Sequence, residues 1–159
     1  MPHTLPSLLE IILRLSVAMI VGGAIGLNRD LRGKPAGLRT HALVTIGSAL
    51  LAMTSIYLAI TMGGSPSDAT SRVIQGIVTG IGFLGVGVII RDQAGHVRGL
   101  TTAATVWVTA SLGVACGIGY WPAILVAVVL IFIVLLTGGP IEMFVEKTFG
   151  KPNDNNSEP

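Results

Sequence analysis

Two stretches of this 159-residue chain hold most of the side chains able to do chemistry, and the two match. RDLRGKPAGLRTHA begins at Arg29, RDQAGHVRGLTTAA begins at Arg91, and both read R-D-x6-G-L-x-T-x-A without a gap. Arg29, Asp30, Gly37, Leu38, Thr40 and Ala42 correspond to Arg91, Asp92, Gly99, Leu100, Thr102 and Ala104, and upstream Gly23 corresponds to Gly85. In such a motif the Arg-Asp pair closes an incoming helix, the arginine snorkelling or binding the last carbonyls. The glycine permits a turn, and Thr40 or Thr102 stands where an N-cap or first-turn hydroxyl satisfies an open N–H group. Two helices then open side by side with partly positive N-termini, ringed by Arg29, Arg39, Arg91 and Arg98, with Thr101 alongside. That arrangement suits an anion or an acidic partner surface. It equally suits arginines that set topology and hold lipid headgroups. Asp30 and Asp92 argue for some internal pairing, because a phosphate cradle has no use for them.

Other reactive residues stand alone. His41 beside Thr40 pairs a base with a hydroxyl, yet no nucleophile, orienting carboxylate or metal-ligand spacing accompanies it, so it reads as an interfacial histidine and His96 as a loop residue. In SPSDATSR, Asp68 stands at the start of a helix with Arg72 four residues on, an N-cap and an i,i+4 pair on the outer face. Glu10 and Arg14 share the same spacing and lower each other's cost of entering an interface. Cys116 is the single cysteine and reports no disulfide framework. No catalytic constellation is present, so an enzyme is not expected.

The elements that must position these groups are read from hydropathy. The chain is 51% hydrophobic and 11% charged, with a mean hydropathy of +0.77, too apolar for an ordinary soluble domain. A spanning helix needs about 20 predominantly apolar residues, and five such stretches occur, at Leu8–Leu27, Ala42–Met62, Val73–Ile90, Leu100–Tyr120 and Ala123–Gly138. The predicted fold is an all-α polytopic membrane protein with five transmembrane helices. Helices 1-2 and 3-4 would be parallel repeats, each carrying one copy of the motif. Gly22 and Gly26, Gly76 and Gly80, and Gly113 and Gly117 stand in small-xxx-small spacing, so the first, third and fourth helices are expected to pack closely. The last span, bulky and without polar atoms, reads as a peripheral helix.

Eight of the ten Lys and Arg fall in the two motif loops and the C-terminal segment, leaving Arg72 and Arg14 for the other side. By the positive-inside rule the N-terminus lies outside and the C-terminus in the cytoplasm. The first ten residues hold no Lys or Arg, so the first span is expected to stay in the mature protein. After the transmembrane domain, residues 8–140, a break at Gly138–Pro140 is expected to release an interfacial helix over 141–150. The polar segment 151–159 reads as a disordered tail too short for a cytoplasmic domain.

From Ala42 on, the second to fifth spans contain no Asp, Glu, Lys or Arg. A coupled transporter normally places ionisable groups there, and Mg²⁺ leans on one or two carboxylates. The nearest, Asp30, Asp68 and Asp92, lie at membrane edges. No cofactor is expected, and an Mg²⁺ site lacks intramembrane carboxylates.

The segments 22–50 and 71–121 carry GLNRD, AGLRTHALV, GIGFLGVGVIIR and VRGLTTAA, and with them the chain resembles the MgtC/SapB family over about residues 8 to 140. The resemblance implies a multi-pass protein of the bacterial inner membrane, N-terminus outside. It implies a link to magnesium limitation, survival inside macrophages and virulence, with the role of a regulator that binds membrane partners more than that of a magnesium carrier. Membrane lipids and a membrane complex such as the F-type ATP synthase are the implied partners, a homo-oligomer is open, and nucleic acid is not expected. The alternative is a transporter or channel for Mg²⁺ or another ion. Longer members carry a soluble domain after the last helix, so the chain is similar to the short SapB/YhiD-like branch. Asn28 stands where the family's GLxR motif often has Glu, which puts any role of that carboxylate in doubt here.

Overall fold

The computed structural model describes residues 6–91 and 97–150, apart from the side chains of residues 90, 91, 97 and 146. Asp92, His96, the side chain of Arg91 and the segment 151–159 lie outside what is described. Five helices are long and apolar enough to cross a membrane: α1 (Leu8–Leu31), α2 (Leu38–Thr61), α3 (Pro66–Val88), α4 (Leu100–Ile118) and α5 (Trp121–Phe149). Between α3 and α4 a two-residue antiparallel pairing joins β1 (Ile90–Arg91) to β2 (Val97–Arg98), where a plain loop is expected.

Local chemistry sets the boundaries. The Ser7 hydroxyl accepts the Glu10 N–H at 3.2 Å and opens α1. Ser65 caps α3 ahead of Pro66, whose missing N–H costs nothing in a first turn. Gly99 precedes α4 with φ of 93°, in the left-handed region that L side chains avoid. A Cβ there would also lie 2.1 Å from the Val88 carbonyl oxygen, so position 99 admits only glycine.

Residues up to Ile124 form one compact unit, and α2 is its centre. A Cβ built on Gly22 would meet the His41 carbonyl oxygen at 2.7 Å, and one on Gly26 the Gly37 carbonyl oxygen at 2.6 Å. On the other flank of α2, Gly113 would meet the Thr45 carbonyl oxygen and Gly117 that of Ala49, each at 2.4 Å. These are backbone-to-backbone approaches that no side chain could survive, the device lipid-embedded helices use where no hydrophobic drive pulls them together. Ala18, Ala49, Ala52 and Cys116 are accordingly fully buried. The third helix departs from expectation, since a Cβ on Gly76 or Gly80 would meet nothing within 4 Å. It packs instead through Ile81 against Val106 and Ala110, and through Gly85 toward Ala103.

The second unit, from Leu125 onward, holds most of α5. The expected break at Gly138–Pro140 does not occur, and the helix runs through Pro140 to Phe149. Transmembrane helices accommodate proline more readily than soluble ones. At 1.5 Å per residue the 29 residues span about 43 Å, beyond the ~30 Å hydrocarbon thickness. Residues 141–149 are thus continuous with α5, the helix being longer than the hydrocarbon thickness alone requires.

Candidate functional site

The ends of α1 and α3 meet the starts of α2 and α4 at the basic end of the first unit. Both outgoing helices begin at the motif-matched leucines, Leu38 and Leu100. The two motif copies nonetheless do different things. Asp30 closes the turn of the first: its carboxylate accepts the Leu38 N–H at 2.9 Å, supplying the cap that Gly37 lacks. A Cβ at Gly37 would collide with that carboxylate, so the aspartate and the glycine fit only together. The caps expected from Thr40 and Thr102 are not made, because the N-cap positions are Gly37 and Gly99.

Arg29 neither snorkels nor binds its own helix end. It is 4% exposed, and its Nη2 donates to the Thr102 hydroxyl of α4, which is 2% exposed. Its Nε has no hydrogen-bond partner, and among the described residues no carboxylate pairs with it. The expected ring of arginines therefore loses Arg29 to the core, while Arg39, Thr40, Arg98 and Thr101 are exposed. Thr40, the motif counterpart of Thr102, is thus open where Thr102 is closed.

His41, expected at an interface, is fully buried. Its Nδ1 lies 3.1 Å from the Gly37 carbonyl oxygen, an acceptor, so Nδ1 carries a proton, and its Nε2 has no hydrogen-bond partner. Thr45, Thr105 and Thr109 are buried with it, and each hydroxyl donates to a carbonyl three or four residues back in its own helix. That habit satisfies hydroxyl protons without tying helices together. The Asn28 Oδ1 is likewise buried without a partner.

At the other end of the unit, Glu10 and Arg14 form the expected ion pair. Arg14 does more than the sequence suggests: its Nη1 donates to the Gly117 carbonyl at 2.6 Å, placing a cation at the C-terminus of α4. Asp68 and Arg72 do not form the expected pair. Ser65 is the N-cap, its hydroxyl accepts the Asp68 N–H at 3.4 Å, and no ion pair joins Asp68 to Arg72. Among the described residues no three His, Cys, Asp or Glu side chains come together as metal ligands. Asp30, the carboxylate nearest the spans at this end, is engaged with the Leu38 N–H.

Comparison with known proteins places this architecture. A model of the MgtC family matches residues 15–144. Protein SrpB of Synechococcus elongatus is 47% identical over 115 residues, 68% of this chain and 63% of its own. "Putative magnesium transporter YhiD" of Escherichia coli K12 is 41% identical over 153 residues, 92% of this chain and 66% of its own. Protein MgtC of Salmonella typhimurium is 47% identical over 120 residues, 76% of this chain and 48% of its own. The chain thus spans between about half and two thirds of the length of these relatives. No solved structure matches it. With a family match running from within α1 into α5 and relatives at 41% identity or more, the chain belongs to the MgtC family.

Proposed function

We propose that the protein is a non-enzymatic regulator of the bacterial inner membrane, acting through its basic end on an acidic surface of a membrane partner. The observation that carries this reading is the split among the motif residues. Arg29, Asp30 and Thr102 are consumed in holding helices, whereas Arg39, Thr40 and Thr101 are exposed around the starts of α2 and α4 and Arg98 is exposed beside them, whatever else it contacts. Guanidinium groups beside helix N-termini favour carboxylates and phosphates. The count of basic residues supports placing this end in the cytoplasm. The family's link to magnesium gives the physiological setting, and the F-type ATP synthase is a candidate partner by family resemblance.

Co-purification tests it: the wild type is expected to recover a membrane complex that an Arg39→Ala/Arg98→Ala variant loses. Equal recovery from both would refute the role of these arginines. The name of the YhiD relative favours a second reading, magnesium transport. Magnesium flux into proteoliposomes that is abolished by Asp30→Asn would replace the first reading with the second.

A further inference from the structure

The motif copies differ most at the start of their outgoing helices. Asp30 puts a carboxylate on the first turn of α2, where it accepts the Leu38 N–H. At the start of α4 no side chain among the described residues plays that part, since Gly99 makes no side-chain cap. The side chain that reaches this turn is a cation, Arg29, through the Thr102 hydroxyl. A helix N-terminus already carries open N–H groups and a partial positive charge, so Arg29 adds charge of the same sign.

Arg29 is 4% exposed and Thr102 2%. A guanidinium keeps its proton in proteins, and a buried charge is costly unless it is paired. Among the described residues no carboxylate pairs with Arg29, and the charged side chain whose field reaches it, Arg32, is another cation. The free hydrogen-bonding groups agree in sign. Nε and Nη2 present parallel N–H bonds along one edge of the planar guanidinium, so the unpartnered Nε–H faces the turn that Nη2 already touches. The Thr102 hydroxyl, accepting from Nη2, keeps its own proton to donate. Side chains this buried can be reached by a small ion that sheds its water, not by a lipid headgroup or a protein side chain.

We propose that Arg29 and the first turn of α4 form a binding site for one small monovalent anion of the chloride class. The anion accepts from the Arg29 Nε–H and the Thr102 hydroxyl, and it does for α4 what the Asp30 carboxylate does for α2. The site uses neither of the exposed arginines, Arg39 and Arg98, and stands or falls apart from the regulatory reading.

Chloride itself is the probe. The protein in neutral maltoside micelles is exchanged into sodium gluconate, whose anion is too large to enter, and titrated with sodium chloride at constant total salt. The NMR line width of chloride and the Tm are followed together. A saturable broadening is expected, with a rise in Tm that tracks it. Arg29→Met should abolish both. Thr102→Val, which keeps the buried charge and removes one donor, should raise the half-saturating chloride about tenfold, the loss of one charge-assisted hydrogen bond. Asp92 lies outside the described residues, and Asp92→Asn should leave the titration unchanged; a chloride response that emerges only in that variant would assign the counter-charge to its carboxylate and overturn the site. A Tm indifferent to the exchange of gluconate for chloride overturns it too, as does the same broadening in Arg29→Met as in the wild type. Stabilisation by inorganic phosphate but not by chloride would give these donors to an oxyanion and equally refute the proposal.

Discussion

Replacing Gly113 by alanine adds a single methyl group, and the structure fixes where it goes. Its Cβ would sit 2.4 Å from the Thr45 carbonyl oxygen, 2.7 Å from the Ser48 Cβ and 3.0 Å from the Thr45 Cα. Two of these three obstacles are backbone, so no rotamer change relieves the clash. Helices α2 and α4 must separate by roughly 1 Å, and a gap of that size forfeits a quarter to a half of each dispersion contact across it. With the strain of overpacking, a loss of about 2–3 kcal/mol is expected, or very roughly 5–10 °C in Tm for a chain of this size. Gly76→Ala is the internal control, because its Cβ would meet nothing within 4 Å. There the gain in helix propensity, about 0.5–1 kcal/mol in soluble helices, leaves stability unchanged or slightly raised. Thermal unfolding of both variants in the same detergent, followed by loss of the monodisperse chromatographic peak, compares them directly. Equal melting of Gly113→Ala and Gly76→Ala would mean that the close approach of α2 and α4 does not hold the unit together.

Two further predictions concern the basic end. Thr102→Val removes the acceptor of a buried guanidinium and should cost about 2 kcal/mol, whereas Thr40→Val at the matched exposed position should cost less than about 0.5 kcal/mol. Adding Arg29→Met to Thr102→Val should recover part of the loss, and strict additivity in that double-mutant cycle would refute the contact. Asp30→Ala should cost about 1 kcal/mol as a lost helix cap and Asp30→Asn less, because the amide oxygen still accepts the Leu38 N–H, as unfolding measurements can resolve.

The five spans were legible because uncharged runs of this length have few other uses, and the start of α4 at Leu100 was read as it stands, whereas α2 begins at Leu38, four residues before the expected span. The destinations of the motif side chains were not. An arginine at a membrane edge can reach outward to water or inward to another helix, and Arg29 takes a partner 73 residues away. Nothing local to Arg29 distinguishes the two choices. The glycine pairs show the same limit, because spacing selects a helix face but not what lies opposite. Of three equivalent pairs, that on α3 faces nothing within 4 Å. The central packing role of α2 was missed for want of a GxxxG, although Thr45, Ser48, Ala49 and Ala52 repeat small residues at helical spacing and form the surface that the glycines of α4 meet. The extension of α1 to Leu31 was missed because Asn28, Arg29 and Asp30 read as loop residues.

The two inward arginines bear on how the outward ones can work. Arg29 bonds α1 to the first turn of α4, and Arg14 bonds α1 to its last turn through the Gly117 carbonyl. The first helix thus ties down both ends of the fourth, while glycine contacts press α2 against each of them. Arg39 sits in the first turn of α2 and Arg98 two residues before α4, so the frame fixes the separation of the backbones that carry them. A partner meeting these groups would find helix starts already in place and would pay ordering entropy only for the side chains. Loosening the frame without touching Arg39 or Arg98, as Thr102→Val does, should therefore weaken partner recovery in proportion to lost stability, whereas Arg39→Ala should weaken it at unchanged stability. The same weakening per unit of stability in both variants would mean that the basic end acts only through the fold.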